Sequence, residues 1–530
     1  MPLESTVRIV QELAQRGYNA DREAVTLLAG ASHPQQAIER AVETAPDDML
    51  VLTAEHVKET IENDSQSRDF ATNTSTNQST ETPNSGPSTA SVNNPSLSTG
   101  TPSQKSPDTG GNPPVEMGGS SESGRSTDQR SLTVSGDIKS TGTGEYGDFV
   151  SVFRDRYKNL SGKLRGRVNH RPTDAIAKQS DGSDAAIVGM VSEIRSTSGG
   201  HWRIELEDTN GTIPCLIMND REFADEAREL LCDEVIAVEG NVANRSGDDP
   251  IIFVDSLYFP DVPRTFRPST ADRPVQAALI SDVHVGSEEF LADAWHRFTD
   301  WLHTEEADPI EYLLIAGDMV EGVGVYPNQD EELDIIDIYD QYEQFSEYLK
   351  EVPGDIEIVM IPGNHDAVRL AEPQPAFDEE LRNIMSAHDA RISANPSTVD
   401  IEGVSVLMYH GVSLDELIAE LPDDKATYEK PHHAMAQLLK KRHVAPQYGG
   451  MTRVAPEAED HLVIEEVPDI FHTGHVHKLG YGTYNNVLSI NSSCWQAQTD
   501  FQKSVNLSPD VGYAPIVQLD TLELTIRQFT

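Results

Sequence analysis

Residues 356–366 read IEIVMIPGNHD, an apolar run that stops abruptly at Gly363, Asn364, His365 and Asp366. A short stretch of Ile, Val and Met bounded by Pro and Gly is the pattern of a buried strand. Gly363 permits a tight turn that exposes an amide, an imidazole and a carboxylate together. The same pattern recurs on both sides of it. VQAALISDVHVG (275–286) ends in Asp282 and His284, IEYLLIAGDMVEG (310–322) in Asp318, and VSVLMYHG (404–411) in His410. DIFHTGHVH (469–477) ends in His475 and His477, two imidazoles that an extended segment turns to the same side, and NVLSINSSCW (486–495) closes the series. Buried strands ending in Asp, Asn or His are how layered α/β and β-sandwich enzymes set ligands along one rim of a sheet.

Taken singly, a DxH, GD or YHG turn is most often an ordinary loop, whereas GNHD and GHVH are stronger signals. All five in this order, each behind its own strand, leave little room for coincidence. Carboxylate, imidazole and one amide oxygen form a mixed O/N donor set that suits Mn, Fe or Zn and suits Ca poorly. The seven residues Asp282, His284, Asp318, Asn364, His410, His475 and His477 are too many for one ion. Two ions about 3.5 to 4 Å apart would use them all, with Asp318 as the natural bridge. Such a pair acidifies a bridging water and neutralises phosphoryl charge, which is the chemistry of phosphoester hydrolysis. His432, His433, His443, His461 and His472 lie outside these motifs and are expected to be bystanders.

Upstream, residues 185–260 alternate in short β-like runs with a hairpin signal at Asn210-Gly211 and a helical piece near Arg221 to Leu231. Five short strands and one helix match an OB-type barrel, which binds either single strands or protein. Before it, Phe149, Val152, Phe153 and Tyr157 sit at helical spacing, followed by Lys158, Lys163, Arg165, Arg167 and Arg171. That basic cluster fits a contact with nucleic acid or an acidic partner, and equally a basic helix end. Lys440, Lys441 and Arg442 form a second island, readable as a neighbour of the phosphodiester path or as a solvated helix end.

The expected organisation is multidomain α+β. A small helical bundle spans 1–62, with Val7, Val10 and Leu13, then Val25 and Leu28, then Ile38 and Ala41 in helical spacing. A Ser/Thr/Asn/Gly/Pro-rich stretch at 63–144 buries too little to offset its ordering entropy and reads as a disordered linker. The basic helix and OB fold occupy 145–270, and the ligand-bearing domain 271–530.

The chain has 530 residues, with Lys+Arg 40 against Asp+Glu 88, a net charge of -48 and only 37% hydrophobic residues. About two-thirds of the basic residues are Arg. Lys-poor acidity of this degree reads as adaptation to a salt-rich cytoplasm, where a Debye length of about 3 Å confines any nucleic-acid contact to local groups. Cys215, Cys232 and Cys494 are isolated, giving neither a CxxC zinc pair nor a disulfide framework. Neither a signal peptide nor an apolar run of about 18 residues occurs, so a cytoplasmic protein without membrane contact is expected.

DxH, GD, GNHD, H and GHxH in this order resemble the calcineurin-like metallophosphoesterase superfamily, a β-sandwich flanked by helices. The resemblance implies that Asp282, His284, Asp318 and His477 hold one ion, and Asp318, Asn364, His410 and His475 the other. It makes His365 a catalytic, non-ligand imidazole that helps the leaving oxygen, with Asp366 as its orienting partner. Protein phosphatases of this superfamily read GDxVDRG, whereas residues 317–324 read GDMVEGVG and lack that Arg, which counts against a phosphoprotein substrate.

The segments SDVHVGS, AGDMVEGVGVYPNQDEEL, PGNHDAVRLAEPQPAF, LLKKRHVAPQYGG and NSSCWQAQTDFQK closely resemble the small subunits of archaeal family D DNA polymerases. Trp495 and Gln496, in the last of them, fit either the site or a contact with a partner. The resemblance covers the OB-like region and everything after it. It implies a metal-dependent 3′ to 5′ exonuclease that degrades single-stranded DNA. That nuclease proofreads for a separate large catalytic subunit in a heterodimer, on single-stranded or primer-template DNA. The expected cofactor is two divalent ions, Mn2+ foremost, with Mg2+, Fe2+ or Zn2+ as alternatives. Eukaryotic replicative polymerase B-subunits resemble this layout without its metal ligands, whereas every ligand is kept here. The competing readings are a scaffold that clamps the large subunit around an incidental metal site, and a phosphodiesterase for small diesters.

Overall fold

The computed structural model describes residues 9, 13, 16, 19–20, 22–31, 34–46, 51–54, 56–58, 60, 130–136, 138, 144–244, 249–326, 329–386 and 390–530. Most of the expected linker, and Val7 and Val10 of the expected bundle, lie outside them. Within 1–62 the helices Arg22–Ala29 and Pro34–Thr44 are accompanied by a short parallel pair, Asn19–Ala20 with Val51–Leu52. Among the described residues of 1–62, Leu13, Val25, Leu28, Ile38 and Ala41 are buried together.

The five ligand-delivering runs and the sixth, NVLSINSSCW, all contain strands, and these divide between two six-stranded sheets. Gln276–Ile280, Ile310–Ala316 and Glu357–Ile361 lie side by side and parallel in the first, where Tyr513–Gln518 adds an antiparallel neighbour. Val404–Met408, Ile470–Thr473 and Val487–Ser492 lie parallel in the second. Alternation within each strand sends one set of side chains between the sheets and the other toward helices. Leu279, Leu314, Val359, Val406, Met408 and Ile470 fill the inter-sheet core. Ile280, Leu313 and Met360 face the helices Ala292–Leu302 and Ile338–Leu349. Leu407 and Phe471 face the helices Ser413–Glu420 and Pro431–Lys441. The result is helix, sheet, sheet, helix, with the carboxyl ends of parallel strands from both sheets supplying the site.

One strand falls where the sequence reading assigned linker. Leu132–Ser135 pairs antiparallel with Ser397–Ile401 at the edge of the second sheet, and Ser135 Oγ donates to the Thr398 carbonyl at 3.0 Å. Leu132 and Val134 alternate with Thr133 and Ser135, a half-buried edge pattern. Four such residues vanish in the average of a Ser/Thr-rich stretch.

Asp184–Ser196, Trp202–Asp208, Gly211–Ile217, Val235–Ala243 and Ile251–Tyr258 close the expected barrel, with a 3-10 helix at Ala224–Glu229. Trp202–Asp208 and Gly211–Ile217 form the expected hairpin, with the turn at Thr209-Asn210 and Gly211 already paired with Asp208, one residue earlier than the Asn210-Gly211 signal placed it. The barrel is joined to the sandwich by charges that the sequence displayed as islands. Lys441 is buried, its Nζ 2.9 Å from Glu234 Oε2, and Lys440 Nζ lies 2.7 Å from Glu229 Oε2 and over the Phe259 ring. The Arg442 side chain donates to the carbonyls of Ile464 and Glu465. The second island is therefore a domain junction, neither a solvated helix end nor a phosphate track. In the first cluster, Arg167 donates to the Phe259 and Pro260 carbonyls, each at 2.8 Å, and Lys163 to the Glu465 carbonyl, which ties the end of helix Tyr146–Leu164 to the folded body. Among the described residues no helix is long and apolar enough to cross a membrane.

Candidate metal centre

The seven expected ligands converge. Asp282, His284 and His477 offer ligand atoms within 4.8 Å of one another, and so do Asp318, His410 and His475. Asn364 joins the second group, its Oδ1 3.0 Å from His410 Nε2, which is itself 3.1 Å from Asp318 Oδ2. Asp318 also reaches the first group, with Oδ2 3.9 Å from His284 Nε2. Its carboxylate thus stands between the two halves.

Backbone geometry marks the same residues. Asp282, His284, Asp318, His475 and His477 all have positive φ, between 52° and 73°. Such conformations cost non-glycine residues about 1 kcal/mol or more each and persist where the surroundings impose them. Gly363 is needed for space as well as for the turn, because a Cβ there would stand 2.2 Å from Asp318 Oδ1 and 2.8 Å from His410 Cε1. Gly474 likewise admits Asp282 Oδ2, which a Cβ would meet at 2.2 Å.

The far side of each imidazole is held by a group that the sequence reading did not assign. His410 Nδ1 contacts the Ala316 carbonyl at 2.8 Å, and His284 Nδ1 lies 2.8 Å from Glu321 Oε2. His475 Nε2 lies 3.1 Å from Asp415 Oδ2, and the Gln502 side-chain amide lies 2.9 Å from His477 Nδ1. Such partners fix ring orientation and tautomer around metals. Trp495 and Gln496 have separate roles. Trp495 packs in the core against Trp295 and Phe298, while Gln496 Nε2 donates to Glu321 Oε2 at 2.7 Å.

His365 also lies within reach of the cluster: with His284 and Asp318 it forms a third group of ligand atoms within 4.8 Å of one another, and its ring centroid is 4.8 Å from that of His284. Its backbone N–H donates to Asp318 Oδ1 at 2.8 Å, and its Nδ1 donates to the Glu321 carbonyl at 2.7 Å. The expectation that Asp366 orients this ring is corrected. The Asp366 carboxylate accepts from the Gly363 and Asp318 N–H groups and the Tyr342 hydroxyl at 2.8 to 2.9 Å. It braces the two loops against the helix Ile338–Leu349, which carries Tyr342. His432, His433, His443, His461 and His472, expected to be bystanders, are absent from the ligand clusters found among the described residues.

The buried carboxylates and imidazoles of the centre shift one another's protonation. Burial pushes the Asp318 carboxyl up, but His410 and His365 outweigh it and hold the group well below the usual range. Burial alone would push His410 down, yet Asp318 raises it to about 10. Burial and the Asp318 charge push Asp366 up to about 7. The ion-pair partners of Asp282 and Asp318 among the described residues are all imidazoles. Buried carboxylates whose charged partners are imidazoles fit divalent cations, which would displace the ring protons.

Residues 277–479 match the family model for the B-subunit of DNA polymerases alpha and epsilon, and residues 185–259 that for the OB-fold nucleic acid binding domain. The DNA polymerase II small subunit of Halobacterium salinarum is 63% identical, over 100% of both chains. The chain belongs to the DNA polymerase II small subunit family. The small subunit of Archaeoglobus fulgidus is 45% identical over 71% of this chain and 75% of its own. Among solved structures, one titled as a novel archaeal phosphodiesterase matches 48% of this chain and 99% of its own at 12% identity and a TM-score of 0.26. As a family member, this small subunit is a component of the archaeal family D DNA polymerase, with an OB-fold domain and candidate metal-binding clusters.

Proposed function

We propose that this small subunit carries a two-metal 3′ to 5′ exonuclease that removes nucleotides from single-stranded 3′ ends and proofreads for the large catalytic subunit. The observation that carries the proposal is Asp318, whose carboxylate touches ligands of both halves of the cluster. Asp282, His284, Asp318 and His477 would hold one divalent ion, and Asp318, Asn364, His410 and His475 the other, as in calcineurin-like phosphoesterases. Two bound ions, Mn2+ foremost, supply Lewis-acid polarisation of the phosphodiester and a water acidic enough to attack it at neutral pH. With Nδ1–H held on the Glu321 carbonyl, a His365 ring protonated at both nitrogens can pass its Nε2 proton to the leaving 3′ oxygen and end as the neutral Nδ1–H tautomer. Asp366 keeps the Asp318 and GNHD loops in register. Polymerisation belongs to the large subunit, and the N-terminal helical unit serves as a docking module.

The test is digestion of 5′-labelled and 3′-labelled single-stranded DNA with Mn2+ at about molar KCl, comparing wild type with His365→Ala. A 5′-labelled ladder shortening from the 3′ end, with the rate reduced about 10²- to 10⁴-fold in the variant, is expected. Absence of cleavage by wild type, alone and with the large subunit, would leave a scaffold that clamps its partner.

A further inference from the structure

Beside the centre, Tyr326 and Phe501 form a stacked pair, with centroids 5.2 Å apart and ring planes 28° apart. Tyr326 is also 6.2 Å from the ring of His365. Phe501 is 49% exposed, so one face of its ring is open to a ligand. The pair is built rather than incidental. The Tyr326 hydroxyl donates to Glu321 Oε1 at 3.1 Å, and Glu332 takes both that hydroxyl, at 3.4 Å, and the Phe501 backbone N–H. Phe501 rides on the short helix Asp500–Ser504, fixed at its start by a Thr499–Gln502 capping box. The next residue, Gln502, contacts the ligand His477. The same turn therefore sets a metal ligand and the exposed ring.

We propose that Phe501, backed by Tyr326, is the stacking platform for the unpaired base of the 3′-terminal nucleotide. This subsite rests on the exonuclease reading and names its substrate contact. An aromatic face accepts every base and needs no hydrogen-bond code, which suits an enzyme that must remove any misinserted nucleotide. Stacking also survives salt that screens contacts to phosphate. Glu332 and Asp500 flank the pair, and the one basic neighbour on the same helix, Lys503, is tied to Asp500 with its Nζ 2.8 Å from Oδ1. A paired 3′ terminus keeps its base in the duplex and cannot offer it to the ring, so the platform selects frayed or mismatched ends.

The test uses the full chain with Mn2+ and two 5′-labelled oligonucleotides, one ending in a normal 3′ nucleotide and one in a 3′ abasic nucleotide. Phe501→Ala raises KM about tenfold on the normal end with kcat unchanged, leaves the abasic end unaffected, and is rescued by Phe501→Trp. Equal losses on both ends, or none, would overturn the platform. In parallel, a 3′-terminal 2-aminopurine is quenched on binding wild type and released from quenching in Phe501→Ala. Quenching that depends on Phe501 without strand cleavage would support the platform and remove the exonuclease. Cleavage with quenching indifferent to Phe501 would do the reverse.

Discussion

Glu321 holds His284 through its carboxylate, with Oε2 2.8 Å from Nδ1, while its own backbone carbonyl accepts the Nδ1 proton of His365. One buried residue thus sets both a candidate ligand and the candidate proton donor. Burial would push its carboxyl up, but His284 and His365 bring it down to about 2, so it is ionised throughout the working range.

Glu321→Gln keeps the shape and removes the charge behind His284. Mn2+ affinity falls about 10- to 100-fold, read by calorimetric titration, and the thermal transition falls too, because the new amide nitrogen faces donors such as Gln496 Nε2. An unchanged Kd would mean that Glu321 serves the loop and not the metal site.

Gly363→Ala tests whether close approach requires the glycine of GNHD. The added methyl collides with Asp318 Oδ1. Both Mn2+ binding and DNA cleavage are lost while circular dichroism shows the sheets intact. A variant that binds Mn2+ normally would show that the loop yields without cost.

Lys441 and Glu234 are an ion pair buried at the junction of barrel and sandwich. Lys441→Met strands the Glu234 charge and destabilises by about 3–5 kcal/mol in denaturant unfolding. The double variant with Glu234→Gln recovers most of the loss. Failure of the second change to rescue would show that Lys441 acts by packing.

Glu372 is buried behind His410, where it accepts the Tyr409 hydroxyl at 2.9 Å. Burial raises its carboxyl from 4.5 to about 7, despite the Tyr409 hydrogen bond. Between those values the unfolded chain has lost the proton and the folded chain keeps it, so this group's contribution falls as pH rises through the window. Above it the cost is about 3 kcal/mol. Glu372→Gln therefore stabilises at about pH 8 and is nearly neutral at about pH 4, by denaturant midpoints at the two values. Equal effects at both would refute the assignment.

The sandwich and its rim were legible because buried strands announce themselves as apolar runs and their last residues are polar for a reason. Asp282, Asp318 and His410 each lie within two residues of a strand end, so linear order mapped directly onto the rim. What supports them was not legible. Glu321, Asp415 and Gln502 lie in loops or helix starts, and their partners are 37, 60 and 25 residues away in sequence. Glu321 carried one signal, its place three residues after Asp318 in GDMVEGVG. The basic islands misled for a related reason, since a Lys beside Lys in sequence looks solvated until Glu234 arrives from another domain. Leu132–Ser135 was hidden because composition averages over windows longer than an edge strand.

If Asp318 joins two metal ions in one centre, manganese stoichiometry combined with electron paramagnetic resonance reads that bridge without relying on catalysis. Wild type is predicted to bind two Mn2+ per chain with the signature of a spin-coupled pair, and Asp318→Asn to lose the coupling and at least one ion. A single uncoupled Mn2+ in wild type, unchanged in Asp318→Asn, would contradict it.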